Sequence, residues 1–155
     1  MTKPKDELLF LALGGSGEIG MNVNLYGCDG KWVMVDLGMT FADPGYPGID
    51  LVLPDLEFIE KRADDLLGIV LTHGHEDHIG AIHHLLFEFP DIKILAPKFA
   101  GELLRLKLDR KKLSRNIQVY DNEKDVFHFD EYELHPVHVT HSIPDTNGLI
   151  FKAKN

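Results

Sequence analysis

Only one cysteine, Cys28, occurs in the 155 residues. A lone thiol excludes an internal disulfide and suits a reducing compartment such as the cytosol. No apolar run approaches the ~18 residues that a membrane-spanning helix needs. Met1 to Glu7 is polar and mixed in charge, so no secretory signal is expected. Positive charge is not in excess: Lys plus Arg number 16 against 25 Asp plus Glu, a net charge of −9. That balance argues against a broad nucleic-acid-binding surface. Internal repeats and low-complexity tracts are missing too. What remains is ordinary for a globular domain, with 44% hydrophobic and 26% charged residues. The length fits one domain or part of one, enough to bury about 70% of the unfolded surface. Histidine is the exception. There are nine, and imidazole is the commonest metal ligand, so position decides what the excess means.

The chain reads as short strands mixed with helices. Leu8 to Leu13 is an apolar run closed by Gly14-Gly15, the pattern of a buried strand. Asn22 to Tyr26 alternates polar and apolar and leads into Asp29-Gly30, a hairpin-turn dipeptide. Trp32 to Leu37 completes that hairpin. Gly38 to Pro54, with several Gly and Pro, predicts a long loop. Asp55 to Asp65 predicts a helix capped by Asp55. Gly68 to Thr72 predicts a strand. Ile79, Ile82, Leu85, Leu86 and Phe89 recur at helical spacing over Asp77 to Phe89. Pro97 opens a helix running to about Lys111. Further strands are expected at Ile92 to Ala96, Ile117 to Tyr120, Val126 to Phe129, Tyr132 to Val139 and Gly148 to Ala153. Strands outnumber helices, and the class is a mixed α/β sandwich.

The chemistry concentrates in Thr72-His73-Gly74-His75-Glu76-Asp77-His78, between a predicted strand and a predicted helix. In extended chain, side chains two apart face the same way. His73, His75 and Asp77 are therefore expected on one side, with His78 turned to a neighbouring position. Three imidazoles and a carboxylate suit Zn²⁺, with Mn²⁺ or Fe²⁺ as alternatives. Two ions fit better than one, because the fourth donor lies outside the geometry of the others. Gly74 removes a side chain where backbone must pass close to metal. His141, in Thr140-His141-Ser142-Ile143-Pro144-Asp145, also follows a strand and opens a loop, and is placed to complete one ligand set. Asp36, at the end of a strand, reads either as an ordinary strand-end carboxylate or as the hydrogen-bond partner of a ligand histidine. His83, His84, His128 and His138 take structural readings, and His135 shares the strand face of His141. Gly15-x-Gly17-x-x-Gly20 followed by Asp36 imitates a dinucleotide fingerprint. That motif requires a helix straight after its glycines, whereas a strand is predicted here.

His73-x-His75-x-Asp77-His78 after a strand resembles the signature of the metallo-β-lactamase superfamily. Gly14-Gly15-Ser16-Gly17-Glu18-Ile19-Gly20, Asp50-Leu51-Val52-Leu53-Pro54-Asp55 and His141-Ser142-Ile143-Pro144-Asp145 resemble its ribonuclease J (β-CASP) branch. The resemblance implies an αββα sandwich, of which residues 1–155 would be the N-terminal half. It implies two divalent ions, Zn²⁺ or else Mn²⁺. His73, His75 and His141 would hold the first, Asp77 and His78 the second, and Asp36 would support the ligand loops. It implies hydrolysis of RNA by a hydroxide that attacks phosphorus in line, with Asp77 orienting it. The implied protein is a cytoplasmic, homo-oligomeric 5′-to-3′ exonuclease with endonuclease activity and no membrane partner. The family pattern goes on to a bridging aspartate, a late histidine, the β-CASP insertion and a C-terminal domain. None of these lies within residues 1–155. These residues alone are therefore expected to hold metal weakly, catalyse poorly and expose a sheet edge. A thioester or small-ester hydrolase of the same superfamily, or an inactive fragment, is the alternative. Lys98, Arg105, Lys107, Arg110, Lys111, Lys112 and Arg115 form a local basic run, either a solvated helix face or a phosphate contact.

Overall fold

The computed structural model describes residues 7–109, 116–121, 125–129 and 132–153. In chain order the elements are β1 (Leu9–Gly14), β2 (Val23–Cys28), β3 (Lys31–Val35), β4 (Thr40–Phe41), β5 (Leu51–Val52), α1 (Glu57–Glu60) and β6 (Leu66–Val70). There follow α2 (Glu76–Ile79), α3 (Ile82–Glu88), β7 (Ile94–Pro97), α4 (Lys98–Asp109), β8 (Ile117–Tyr120), β9 (Phe127–Phe129), β10 (Tyr132–His138) and β11 (Asn147–Ala153). A six-stranded sheet has the order β1-β2-β3-β6-β7-β8. Its first three strands are antiparallel and its last four parallel. A smaller antiparallel sheet has the order β11-β10-β9.

Runs of consecutive buried residues, such as Trp32 to Val35 and Gly68 to Val70, mark strands covered on both faces. Alternate side chains feed two cores. Leu25, Met34, Ile69, Leu71 and Ile94 pack with Ile79, Ile82, Leu85, Leu86, Leu104 and Leu108 of the helices. Val33, Val70, Leu95 and Tyr120 pack with Phe127, Phe129, Tyr132 and Leu134 of the small sheet. The layers are thus helices, large sheet, small sheet. Each large side chain buried this way contributes about 1.5–3 kcal/mol. The Tyr132 hydroxyl ties the sheets together, its one proton shared between the Tyr26 and Lys31 carbonyls at 3.0 and 2.9 Å. Among the described residues, no helix is long and apolar enough to cross a membrane.

Several expected boundaries move, for tertiary reasons. The helix expected over 55–65 is one turn, Glu57–Glu60, followed by a 3₁₀ turn at Ala63–Asp65. Arg62 leaves helical backbone with φ −130° and ψ 34°. Asp55 makes an Asx turn to the Glu57 N–H at 2.9 Å rather than capping the helix. The loop expected over 38–54 contains the β4–β5 ribbon. Pro97 ends β7, so α4 opens at Lys98. The end of that helix near Lys111 lies outside the described residues.

The helix expected over 77–89 is two helices broken at Gly80–Ala81. Here the cause is specific. The Asp77 carbonyl is taken by the Asn22 N–H at 2.9 Å, and the His78 carbonyl by the Leu37 N–H at 2.7 Å. The Ala81 N–H turns instead to the Leu37 carbonyl at 3.1 Å. Two distant loops therefore occupy the carbonyls that continuing the helix would require. A Cβ on Gly38 would lie 1.6 Å from the Asp77 carbonyl oxygen, so only glycine permits this approach.

Candidate metal centre

The site begins where β6 runs out. The Asp36 N–H bonds the Val70 carbonyl at 3.0 Å, and the side chain of Asp36 folds under the following turn. Asp36 is buried at 3% exposure, in left-handed backbone at φ 60°. Its carboxylate accepts three hydrogen bonds: from the Thr72 N–H at 2.8 Å, the Thr72 hydroxyl at 2.7 Å and His78 Nδ1 at 2.7 Å. An ionised carboxylate only accepts, so this network orders the rings. His78 carries its proton on Nδ1 and leaves Nε2 with a lone pair. Thr72 gives its hydroxyl proton to Asp36 and can only accept from His73 Nδ1 at 2.9 Å. His73 therefore also leaves Nε2 unprotonated. Orientation of a histidine by a partner on its other nitrogen is what metal ligation needs.

His73 Nε2 lies 3.0 Å from His75 Nδ1, and His141 Nε2 lies 3.2 Å from the same atom. All three donor atoms fall within 4.8 Å of one another. Nitrogens sharing one ion at about 2.05 Å sit about 2.9–3.4 Å apart for angles between octahedral and tetrahedral. The two gaps to His75 Nδ1 lie in that window, and the donor set suits a borderline divalent ion. Burial, then the neighbouring His78, His75 and His141, pulls the His73 pKa down to about 4. His73 is thus neutral at pH 7, as a ligand must be. His78 shifts the other way. Burial alone would lower its pKa, but the Asp36 hydrogen bond and charge, with Asp77, raise it.

Asp77 stands apart from the trio. The chain has already entered α2, with His75 as its N-cap residue, so the alternation expected from an extended strand stops at His75. Asp77 Oδ2 lies instead 3.5 Å from His78 Nε2. Asn22, expected only as the start of a strand, joins this pair. Its Nδ2 is 3.1 Å from the Asp77 carbonyl, 3.3 Å from Asp77 Oδ2 and 3.1 Å from His78 Nε2. The signal that could have found it is the glycine loop just before it. A Cβ on Gly15, at φ +81°, would meet Asn22 Oδ1 at 2.4 Å. The loop is a seat for Asn22, and the chain after it enters β2, not the helix that a dinucleotide fold requires.

The other histidines lie elsewhere. His83 Nδ1 faces the Gly80 carbonyl at 3.1 Å, and its ring lies tilted against His84. His135 bonds Glu133 on the small sheet. His138 lines a cavity of about 520 Å³ with Lys98, Tyr120, Asp121, Asp125 and Asp145, whose carboxylates outnumber its one lysine. Of the described basic residues on α4, Arg105 pairs with Glu102 and Lys107 with Glu76. The rest of that basic run, Arg110 to Arg115, lies outside the described residues.

Residues 18–149 match the metallo-beta-lactamase superfamily, and the chain belongs to it. Within that class the chain is similar to Ribonuclease J. It is 38% identical to that of Sinorhizobium meliloti over 154 residues, covering 96% of this chain and 27% of the relative. It is 40% identical to that of Mycobacterium tuberculosis over 138 residues, covering 89% and 25%. The chain thus spans about a quarter of the length of the curated relatives it matches. Among solved structures it is similar to the metallo-beta-lactamase fold protein YhfI from Bacillus subtilis. The TM-score is 0.68 at 13% identity, over 95% of this chain and 59% of that one. A diphosphatase from the PhnP family gives a TM-score of 0.61 at 19% identity, over 84% and 48%. Both likenesses concern the fold, a mixed sheet with flanking helices. Family and histidine cluster together point to divalent metal binding.

Proposed function

We propose that this chain supplies the metal-binding core of a dinuclear ribonuclease of the ribonuclease J type. Convergence of His73 Nε2, His75 Nδ1 and His141 Nε2 beside the Asp77–His78 pair carries the reading. The three imidazoles would hold a first ion, and Asp77 and His78 a second. Zn²⁺ suits the nitrogen-rich set, with Mn²⁺ next. When bound, such a pair of ions acidifies water and neutralises charge on a phosphodiester undergoing in-line attack. The chain's own residues set the stage for that. Asp36 and Thr72 fix the ring tautomers of His78 and His73. Asp77, half-exposed, offers a carboxylate oxygen that can orient the attacking water. Similarity to Ribonuclease J supports RNA as substrate, with 5′-to-3′ exonucleolytic and endonucleolytic cleavage in RNA maturation and decay. A homo-oligomer without a membrane partner and a cytoplasmic location belong to the same reading, and the single buried thiol is in keeping with a reducing compartment.

A second reading has its own observation. With a net charge of −9, and with Arg105 and Lys107 of α4 paired to Glu102 and Glu76, a small ester or thioester would meet less repulsion than RNA. An RNA-decay assay and a small-ester assay on the complete protein separate the two. RNA cleavage that vanishes with His75→Ala and with chelator is expected. Equal RNA cleavage in all three samples overturns the proposal, and ester turnover without RNA cleavage selects the second reading.

A further inference from the structure

We infer that Asp145 is a positioning residue for His141, a latch that fastens the histidine's loop to the first turn of α4. The inference rests on the metal-centre reading above. His141 is exposed, and its ring meets the rings of His73 and His75. Its place therefore depends on how residues 139–147 are held. The loop base closes through the Val139 N–H to the Thr146 carbonyl at 3.0 Å. One tie to the metal turn runs from the Asn147 N–H to the Thr72 carbonyl, the residue before His73, at 3.1 Å.

Asp145 makes the other tie. Its Oδ2 accepts the Phe99 N–H at 3.1 Å, satisfying a free donor of the first turn of α4. Its own carbonyl accepts Asn147 Nδ2 at 2.8 Å. The residue sits at φ +56°, a left-handed conformation that aspartate tolerates better than most side chains. A carboxylate at the positive end of a twelve-residue helix is also favourably placed.

The same first turn of α4 touches the other half of the ligand set. A Cβ on Gly74, between His73 and His75, would lie 3.4 Å from Phe99, 3.5 Å from Ala100 and 3.5 Å from Ile143 of the His141 loop. The metal turn, the start of α4 and the His141 loop meet at one point. Asp145 holds the loop to the start of α4, and its loss leaves the loop on the Asn147–Thr72 bond, loosening His141 relative to the other two imidazoles.

The test measures zinc affinity of the complete protein by chelator competition, with zinc alone as probe. Asp145→Ala is expected to weaken the first ion roughly 10–100-fold, the usual effect of losing an outer partner of a ligand. Asp145→Asn, whose side-chain oxygen still accepts the Phe99 N–H, restores most of it. In a His141→Ala background, Asp145→Ala should cost nothing further. Wild-type affinity in Asp145→Ala overturns the latch, as does an equal loss in the His141→Ala background. Amide exchange of residues 139–147, followed by mass spectrometry in metal-free protein, is a separate readout. Faster exchange confined to that peptide supports the latch, and unchanged exchange overturns it. Should wild type bind no zinc, the metal reading falls, and exchange alone judges Asp145.

Discussion

The two stretches that supply the imidazoles are held by different physics. The turn at 72–78 rests on a buried carboxylate whose three hydrogen bonds hold one ring, one hydroxyl and one backbone amide, the hydroxyl in turn holding the His73 ring. The loop at 139–147 brings an exposed ring to the same place by ties at its base and none on the ring from its own loop. One side of the ligand set is therefore ordered without an ion. The other is set by anchoring and has more conformational freedom to lose when an ion binds. A site of this kind keeps its tautomers in the metal-free state and adjusts through one loop.

His75→Ala breaks the comparison most severely, because His75 Nδ1 is the atom that both His73 and His141 approach. Loss of the first ion is expected, beyond the roughly 10–100-fold that removing an outer partner costs, and metal content of the purified variant checks it. Asp36→Ala strikes the ordered side. It leaves the Thr72 amide and His78 Nδ1 without their buried partner and keeps an alanine at φ 60°. A stability loss of about 2–6 kcal/mol in urea unfolding is expected, about 1–3 kcal/mol for each of the two donors left without a partner. The same substitution should weaken both ions, whereas Asp145→Ala weakens only the one that His141 serves. Asn22→Ala is milder. Its backbone bond to Asp77 survives, so about 1–2 kcal/mol of stability and part of the second ion's affinity should go.

The pH dependence is the most direct comparison of neighbouring rings. His73 has a folded pKa of about 4 against an ordinary 6.5, so the unfolded chain binds more protons between those values. Metal-free stability should therefore fall as pH drops from about 6.5 toward 4. His78 has a raised folded pKa, so its contribution is present below 6.5 and is lost as pH rises through the raised value. Together they predict a stability maximum near pH 6.5. Urea titrations across pH check this, and His73→Asn should flatten the acid limb only.

Much of the site was legible along the chain. His73 and His75 face one way because two-residue spacing at a strand end puts them there, and donor chemistry picked out Asp77, His78 and His141. The α/β class followed from strands mixed with helices, and the layering from the family resemblance. Less was readable where a distant segment changed the local outcome. The periodicity of 77–89 describes one helix, yet the chain breaks it because Asn22 and Leu37 claim its carbonyls from loops 55 and 41 positions away in sequence. Asn22 itself carried no local mark, since an asparagine opening a strand is unremarkable until the glycine loop folds it against Asp77. Asp36 left two readings open, and only the Thr72 and His78 bonds distinguish them.

Residue order by itself determined which donors exist, which of them are close neighbours, and that a strand end and a helix start carry His73 to His78. These depend on side-chain chemistry and short-range backbone geometry. Tertiary structure alone decided how the donors divide between two groups, which nitrogen of His73 and His78 is left free, and how His141 reaches a turn more than sixty residues earlier. Those outcomes depend on hydrogen bonds and packing between segments whose meeting no local pattern encodes.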